Sequence, residues 1–193
     1  MSKTFSNRYI FIYSAVLVVV AALILTVVSV SLKPLQTKNQ QAETKQMILK
    51  TIGVEATRDN AAELYAKHIT EADGYYRFDG GIVLPLKGTG LWGPIWGYLA
   101  LDSTSTVVGA VFDHKGETPG LGGEIAEPWF YNQFDGVSLK DAAGAFSSAK
   151  IVKGGANGNP NGVDAISGAT ITSRSLENTI AAWMDYYKLI LGE

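Results

Sequence analysis

The chain has 193 residues, 47% of them hydrophobic and 18% charged, more apolar than the core of a soluble domain of this size requires. Sixteen Lys and Arg against eighteen Asp and Glu leave a net charge of -2, with no basic excess for a phosphate backbone, which argues against nucleic-acid binding. With no cysteine, the chain can build no disulfide, thiolate zinc site, iron-sulfur cluster, cysteine nucleophile or acylated lipoprotein anchor, and its two histidines, His68 and His114, carry no ligand pattern such as HExxH.

Residues 10–30 read IFIYSAVLVVVAALILTVVSV, without a charge. At about 1.5 Å per residue such a helix crosses a hydrocarbon core of about 30 Å, so a single transmembrane helix is expected at 10–32, behind a short tail at 1–9. A cleaved signal peptide would need an apolar stretch of about 7 to 15 residues and a small-x-small site, which VSVSLKP supplies poorly. Lys3 and Arg8 flank one end and Lys33, Lys38 and Lys45 the other, so charge alone does not orient the span. Residues 33–56, polar and rich in Gln, Lys and Thr, suggest a helical stalk, and 57–193 amount to one domain.

Within that domain Thr57 is expected to cap a helix whose Ala61, Leu64, Tyr65 and His68 recur at intervals of three and four residues. Residues 75–86 and 95–101 are aromatic and branched runs broken by glycine, the pattern of strands joined by turns. Residues 106–112 pair with the preceding strand across the turn at 102–105 as an antiparallel hairpin. A short helix follows near 124–133, then a strand at 149–153 and a Gly, Asn and Pro-rich loop. From Ser173 as cap, a last helix carries Leu176, Ile180, Trp183, Met184, Tyr187 and Ile190 or Leu191 on one stripe, closed by Gly192. The expected fold class is α+β: one N-terminal transmembrane helix followed by one mainly antiparallel domain.

Three stretches carry chemistry. Gly88, Gly90 and Gly93 in GTGLWG match the dinucleotide fingerprint GxGxxG, but Pro94 and the alternating IWGYLAL after it indicate a strand where the fingerprint requires a helix. The stretch is read as a glycine-rich turn beside Trp92 and Trp96, with the tryptophans either in the core or lining a site. HKGETPGLGGE at 114–124 is a loop whose backbone can approach a ligand closely, or a plain surface loop. DAISGAT at 164–170 precedes the final helix, where unpaired amides at the positive end of the dipole form a ready phosphate site and a threonine hydroxyl can carry a phosphate ester. The alternative is that Ser167, Thr170, Thr172 and Ser173 only cap the helix.

Taken together and in order, KGTGLWGPIWGYLALD, HKGETPGLGGEI and DAISGATITS, behind an N-terminal anchor, resemble the NqrC family of the sodium-translocating NADH:quinone oxidoreductases. The last motif alone marks the wider family of FMN-binding domains, which includes the RnfG component of the Rnf complex. The resemblance implies an FMN-binding domain at 57–193, with FMN joined covalently through its phosphate to Thr170 by a separate flavin transferase. Asp164 matches the leading acid of the motif, with Ser167, Gly168 and Ala169 between it and the modified threonine. Glu117, Thr118, Leu121 and Gly122 match the contacts of the flavin ring. It further implies no catalytic group and no metal on this chain, a bacterial inner-membrane anchor with the domain on the periplasmic side, and partners in the other subunits of the reductase. The expected role is a one-electron relay, while NADH and quinone react elsewhere in the complex. The chain is shorter than the members of that family, through loss of residues between the stalk and the first strands. The rival expectations are a flavin-bearing RnfG component of an Rnf-type complex, or an anchored extracytoplasmic binding domain with no redox role.

Overall fold

The computed structural model describes residues 6–141, 144–145 and 147–191, with side chains as far as Lys188. The chain divides into two compact units, Met1–Ala42 and Glu43–Glu193. Helix α1 (Asn7–Thr51) contains an 18-residue window with a mean hydropathy of 2.9, none of it buried, which by length and composition suffices to cross a membrane. Pro34 lies inside this helix, where its missing N–H leaves one exposed carbonyl without a helical donor.

In the second unit, α2 (Ala61–His68) buries Ala61 and Tyr65, as the spacing predicts. Thr57 is not its cap. Asn60 holds that position, and its side chain accepts from Thr57 N–H at 2.7 Å instead of capping the helix. Five strands follow as a meander of antiparallel neighbours: β1 (Thr70–Glu71), β2 (Tyr76–Phe78), β3 (Gly81–Thr89), β4 (Pro94–Asp102) and β5 (Val107–His114). The β4–β5 turn is fixed by Asp102, whose carboxylate accepts from Thr104 N–H at 2.8 Å and Thr106 N–H at 2.9 Å. β2 pairs only with residues 81–83, so Pro85 lies beyond it and no neighbouring strand requires its missing N–H.

The sheet is covered on both faces because its strands alternate between two clusters. Val83 and Ala100 pack with Ile48, Leu49, Tyr65 and Ile69 on one side. Leu84, Leu86, Leu99 and Leu101 join the main core on the other. That core includes Phe130 and Phe134, delivered by α3 (Pro128–Tyr131) and by a 3-10 turn (Asn132–Phe134), where the sequence suggests one short helix. Two short strands, β6 (Lys150–Val152) and β7 (Gly162–Asp164), pair in parallel apart from the meander. β7 starts on the last residue of the glycine and asparagine-rich stretch, 153–162, that composition marks as loop, and ends on the first residue of DAISGAT.

The last helix, α4 (Thr170–Leu191), buries Leu176, Ile180, Met184 and Tyr187, the expected stripe. The side chains of Ile190 and Leu191, and Gly192, lie outside the described residues. α4 starts at Thr170, three residues before the expected cap: Ser173 N–H already donates to Ala169 O at 3.0 Å, and Ser173 belongs to the first turn. Trp183 and Tyr187 clamp the helix to β3. The indole donates to Lys87 O at 2.7 Å, and the Tyr187 hydroxyl lies 3.1 Å from Pro85 O and 3.0 Å from Gly74 O.

Candidate functional site

The sheet brings two of the three motifs to one end, because β4 starts where β3 and β5 finish. The GTGLWG segment makes the β3–β4 turn, closed by Gly90 N–H to Gly93 O at 2.8 Å, and strand β4 begins directly at Pro94. No helix opens there, so a pyrophosphate has no helix start to meet. The ETPGLGG segment leaves β5 and folds tightly on itself, with Leu121 and Gly123 N–H donating to Thr118 O at 3.1 and 3.0 Å. The third motif runs from β7 into the first turn of α4.

Glu117 fastens these segments together. Its side chain is 4% exposed. One carboxylate oxygen, Oε1, accepts from Trp92 N–H at 2.8 Å, and Oε2 accepts from the Thr172 hydroxyl at 2.6 Å. Gly90 and Gly122 lie against it, and a Cβ at either position would collide with the carboxylate. Burial disfavours the charged form, but the Thr172 hydroxyl and the backbone amides of Trp92, Gly93 and Leu91 outweigh it and hold the carboxyl below the ordinary glutamate range. Glu117 is therefore an anion at neutral pH.

The hydroxyls at the head of α4 divide into two groups. Thr172 is committed to Glu117, and Ser173 Oγ accepts from Ile166 N–H at 3.3 Å. The hydroxyls of Ser167 and Thr170, both exposed residues, have no hydrogen-bond partner among the described residues. Thr170 is thus a free hydroxyl on the first residue of a helix, beside leading amides that have no helical carbonyl behind them. Upstream, Asp164 Oδ1 accepts from Ala156 N–H at 2.6 Å, and its own N–H donates to Gln133 Oε1 at 2.9 Å, which ties the glycine-rich loop after β6 to the motif.

Two cavities meet at Gly168 and Thr170. One, of about 290 Å3, is lined by Glu117, Thr118, Leu121, Gly122, Gly168, Ala169 and Thr170. The other, of about 420 Å3, is lined by Asp164, Ser167, Gly168 and Thr170, with Lys153 and the two glycines after it. All nine residues singled out in the sequence therefore border one or both. The structure adds two residues that the sequence did not single out, Leu91 and Ile171, exposed apolar side chains on the first cavity, and it places Thr172, read as a possible cap, in the same wall. Trp92, left open between core and site, is 70% exposed at this rim. The partner of Thr172 is 55 residues away in sequence, so no local pattern signals it.

The FMN-binding domain family matches residues 90–185. The NqrC-type subunit of the Na(+)-translocating NADH-quinone reductase of Yersinia pestis is 40% identical over 133 residues, 66% of this chain and 46% of that protein. Its counterpart in Vibrio vulnificus strain YJ016 is 42% identical over 105 residues, 53% of this chain and 41% of that protein. The chain thus spans under half the length of these curated relatives. Among solved structures, Shewanella oneidensis NqrC shares the fold, with a TM-score of 0.67 at 23% identity over 80% of this chain and 97% of that one. The corresponding reductase subunit from Parabacteroides distasonis ATCC 8503 gives a TM-score of 0.75 at 33% identity, over 84% of this chain and 98% of the solved chain. With that structure matched almost end to end, the chain belongs to the NqrC family of Na(+)-translocating NADH-quinone reductase subunits.

Proposed function

We propose that this chain is a membrane-anchored electron carrier of a sodium-translocating NADH:quinone reductase, holding FMN in a phosphoester bond to Thr170. The observation that carries the reading is the Thr170 hydroxyl: exposed, without a hydrogen-bond partner among the described residues, and placed where the two cavities meet. The residues fit the group. Covalent attachment needs an accessible hydroxyl, which Thr170 offers, and an anionic phosphate is favoured at the leading amides of α4. A flat ring needs an apolar rim, which Leu91, Trp92, Leu121 and Ile171 provide, and a close backbone, which Gly122 and Gly168 allow.

Bound there, FMN would supply reversible electron acceptance, one or two at a time, which the protein side chains cannot. The chain's own work is attachment and placement. Thr170 Oγ1 carries the ester, with Ser167 and Ala169 beside it, and Asp164 orders the neighbouring loop through Ala156 for recognition by the flavin transferase. Thr118, Leu121 and Gly122 flank the ring and exclude water. Residues 10–32 of α1 form the single membrane span, supported by the apolar window of that helix, with the domain on the periplasmic side of a bacterial inner membrane. Single electrons pass between this domain and redox groups on the other subunits, where NADH and quinone react.

The test is co-expression with a flavin transferase, followed by intact mass and in-gel flavin fluorescence of denatured protein. The parent gains one FMN moiety and Thr170→Ala gains none. A fluorescent Thr170→Ala band would move the attachment elsewhere, and a parent mass equal to the bare polypeptide would remove the electron-carrier reading.

A further inference from the structure

Glu117 is a buried charge in the wall of the cavity that the proposed function assigns to the flavin ring. A carboxylate there is more than the simplest way to join three loops, since a neutral glutamine could accept the same Trp92 amide. The fold instead supplies donors enough to keep the charge: Thr172 Oγ1 at 2.6 Å, Trp92 N–H at 2.8 Å, and the amides of Leu91 and Gly93 nearby. Two glycines, Gly90 and Gly122, leave the room that the carboxylate occupies.

Electrostatics then sets a direction. Adding an electron to a ring bound in this cavity adds negative charge beside a fixed anion, in a site partly screened from water, where charge interactions are stronger than in bulk solvent. Among the described residues, no Lys, Arg or His lines the same cavity to offset it.

We propose that Glu117 is a positioning residue that also sets the flavin potential: its fixed anion in the cavity wall disfavours the reduced ring and keeps this carrier a strong one-electron donor. The proposal rests on the flavin reading above, and the experiment separates the two. The electron gained by the ring comes from the mediator or electrode in the titration, and no proton on Glu117 is required.

The test is a spectroelectrochemical titration of full-length, flavin-loaded protein carrying Glu117 variants. Glu117→Gln is nearly isosteric. Its oxygen can keep the Trp92 amide, and its NH2 group can donate to the Thr172 hydroxyl, which rotates to accept. Removing the charge should favour the reduced flavin about tenfold at a given potential, which for a one-electron couple is about 59 mV upward. Glu117→Asp keeps the charge and should stay close to the parent. A Glu117→Gln potential equal to the parent's overturns the proposal, as does an equal shift in both variants, which would assign the effect to loop geometry. Should Glu117→Gln not fold, Thr172→Val carries the test: it keeps the carboxylate and removes one of its donors, so the potential should fall below the parent's, and a potential equal to the parent's overturns the proposal. A parent without bound flavin would instead sink the underlying reading.

Discussion

Thr172 and Glu117, 55 residues apart, join the head of α4 to the loop after β5 through a hydrogen bond of 2.6 Å from hydroxyl to carboxylate. Both side chains are buried, so water cannot replace either partner. Thr170, two residues before Thr172, is thereby held in register with the ETPGLGG loop.

Thr172→Val keeps the shape of the side chain and removes its donor. A hydrogen bond to a charged group contributes about 1.5–3 kcal/mol, and here the acceptor would stay buried with one donor fewer. The variant should lose about that much stability in urea titration at neutral pH. A loss under about 0.5 kcal/mol, the size of an ordinary surface change, would show that the bond adds little to the junction.

Gly168 lies between the two cavities with φ +76, a left-handed backbone that costs an L-residue about 1–2 kcal/mol, and a Cβ there would stand 2.8 Å from Leu121 Cδ2. Gly168→Ala should therefore lower stability by about 1–2 kcal/mol and push Leu121 out of the cavity wall. Flavin attached per chain should fall with it. A variant with full flavin and the parent melting temperature would mean that the turn and Leu121 both yield without consequence.

Asp164 separates recognition from stability. Its bond to Ala156 N–H is exposed, so Asp164→Ala should cost only about 0.5–1.5 kcal/mol. The loop it orders borders the second cavity beside Thr170, so flavin incorporation should drop by a larger factor than stability accounts for. The ratio of flavin to protein absorbance in the purified variant measures this, and full occupancy would count against a role for Asp164 in attachment.

Local signals in the chain revealed those parts of the fold that local rules govern. Leu176, Ile180, Met184 and Tyr187 recur with the helical period and are buried as a stripe, and the runs around 75–86, 95–101 and 106–112 became neighbouring strands. β7 was hidden because it has only three residues, Gly162–Asp164, which pair in parallel with partners twelve residues earlier and start at the end of a stretch whose composition signals loop. The start of α4 was misplaced because serine resembles a cap, whereas Ser173 Oγ turns back to the Ile166 amide from within the first turn. In the site, the motifs marked the residues that border the cavities, but the long-range pair of Thr172 and Glu117 and the rim of Leu91, Trp92 and Ile171 depend on how the three loops meet.

The same carboxylate makes a prediction in acid. Hydrogen bonds from Thr172 and the Leu91, Trp92 and Gly93 amides outweigh burial and depress the Glu117 pKa in the folded chain below the reference 4.5. A depressed folded pKa gives stability that is complete above the unfolded value and lost as pH falls through the folded one, since the unfolded chain there binds more protons. Asp102, also depressed through its bonds from Thr106 and Thr104 despite the opposing effect of burial, adds a parallel loss from its lower reference of 3.8. Glu117→Gln removes the first contribution and leaves the second. Urea titrations from pH 6 to about pH 3 should therefore show a shallower fall in stability for Glu117→Gln than for the parent, with the two curves converging toward the acid end. Parallel curves would mean that folding does not favour the charged form of Glu117 over the neutral one, and that its hydrogen bonds only offset the effect of burial.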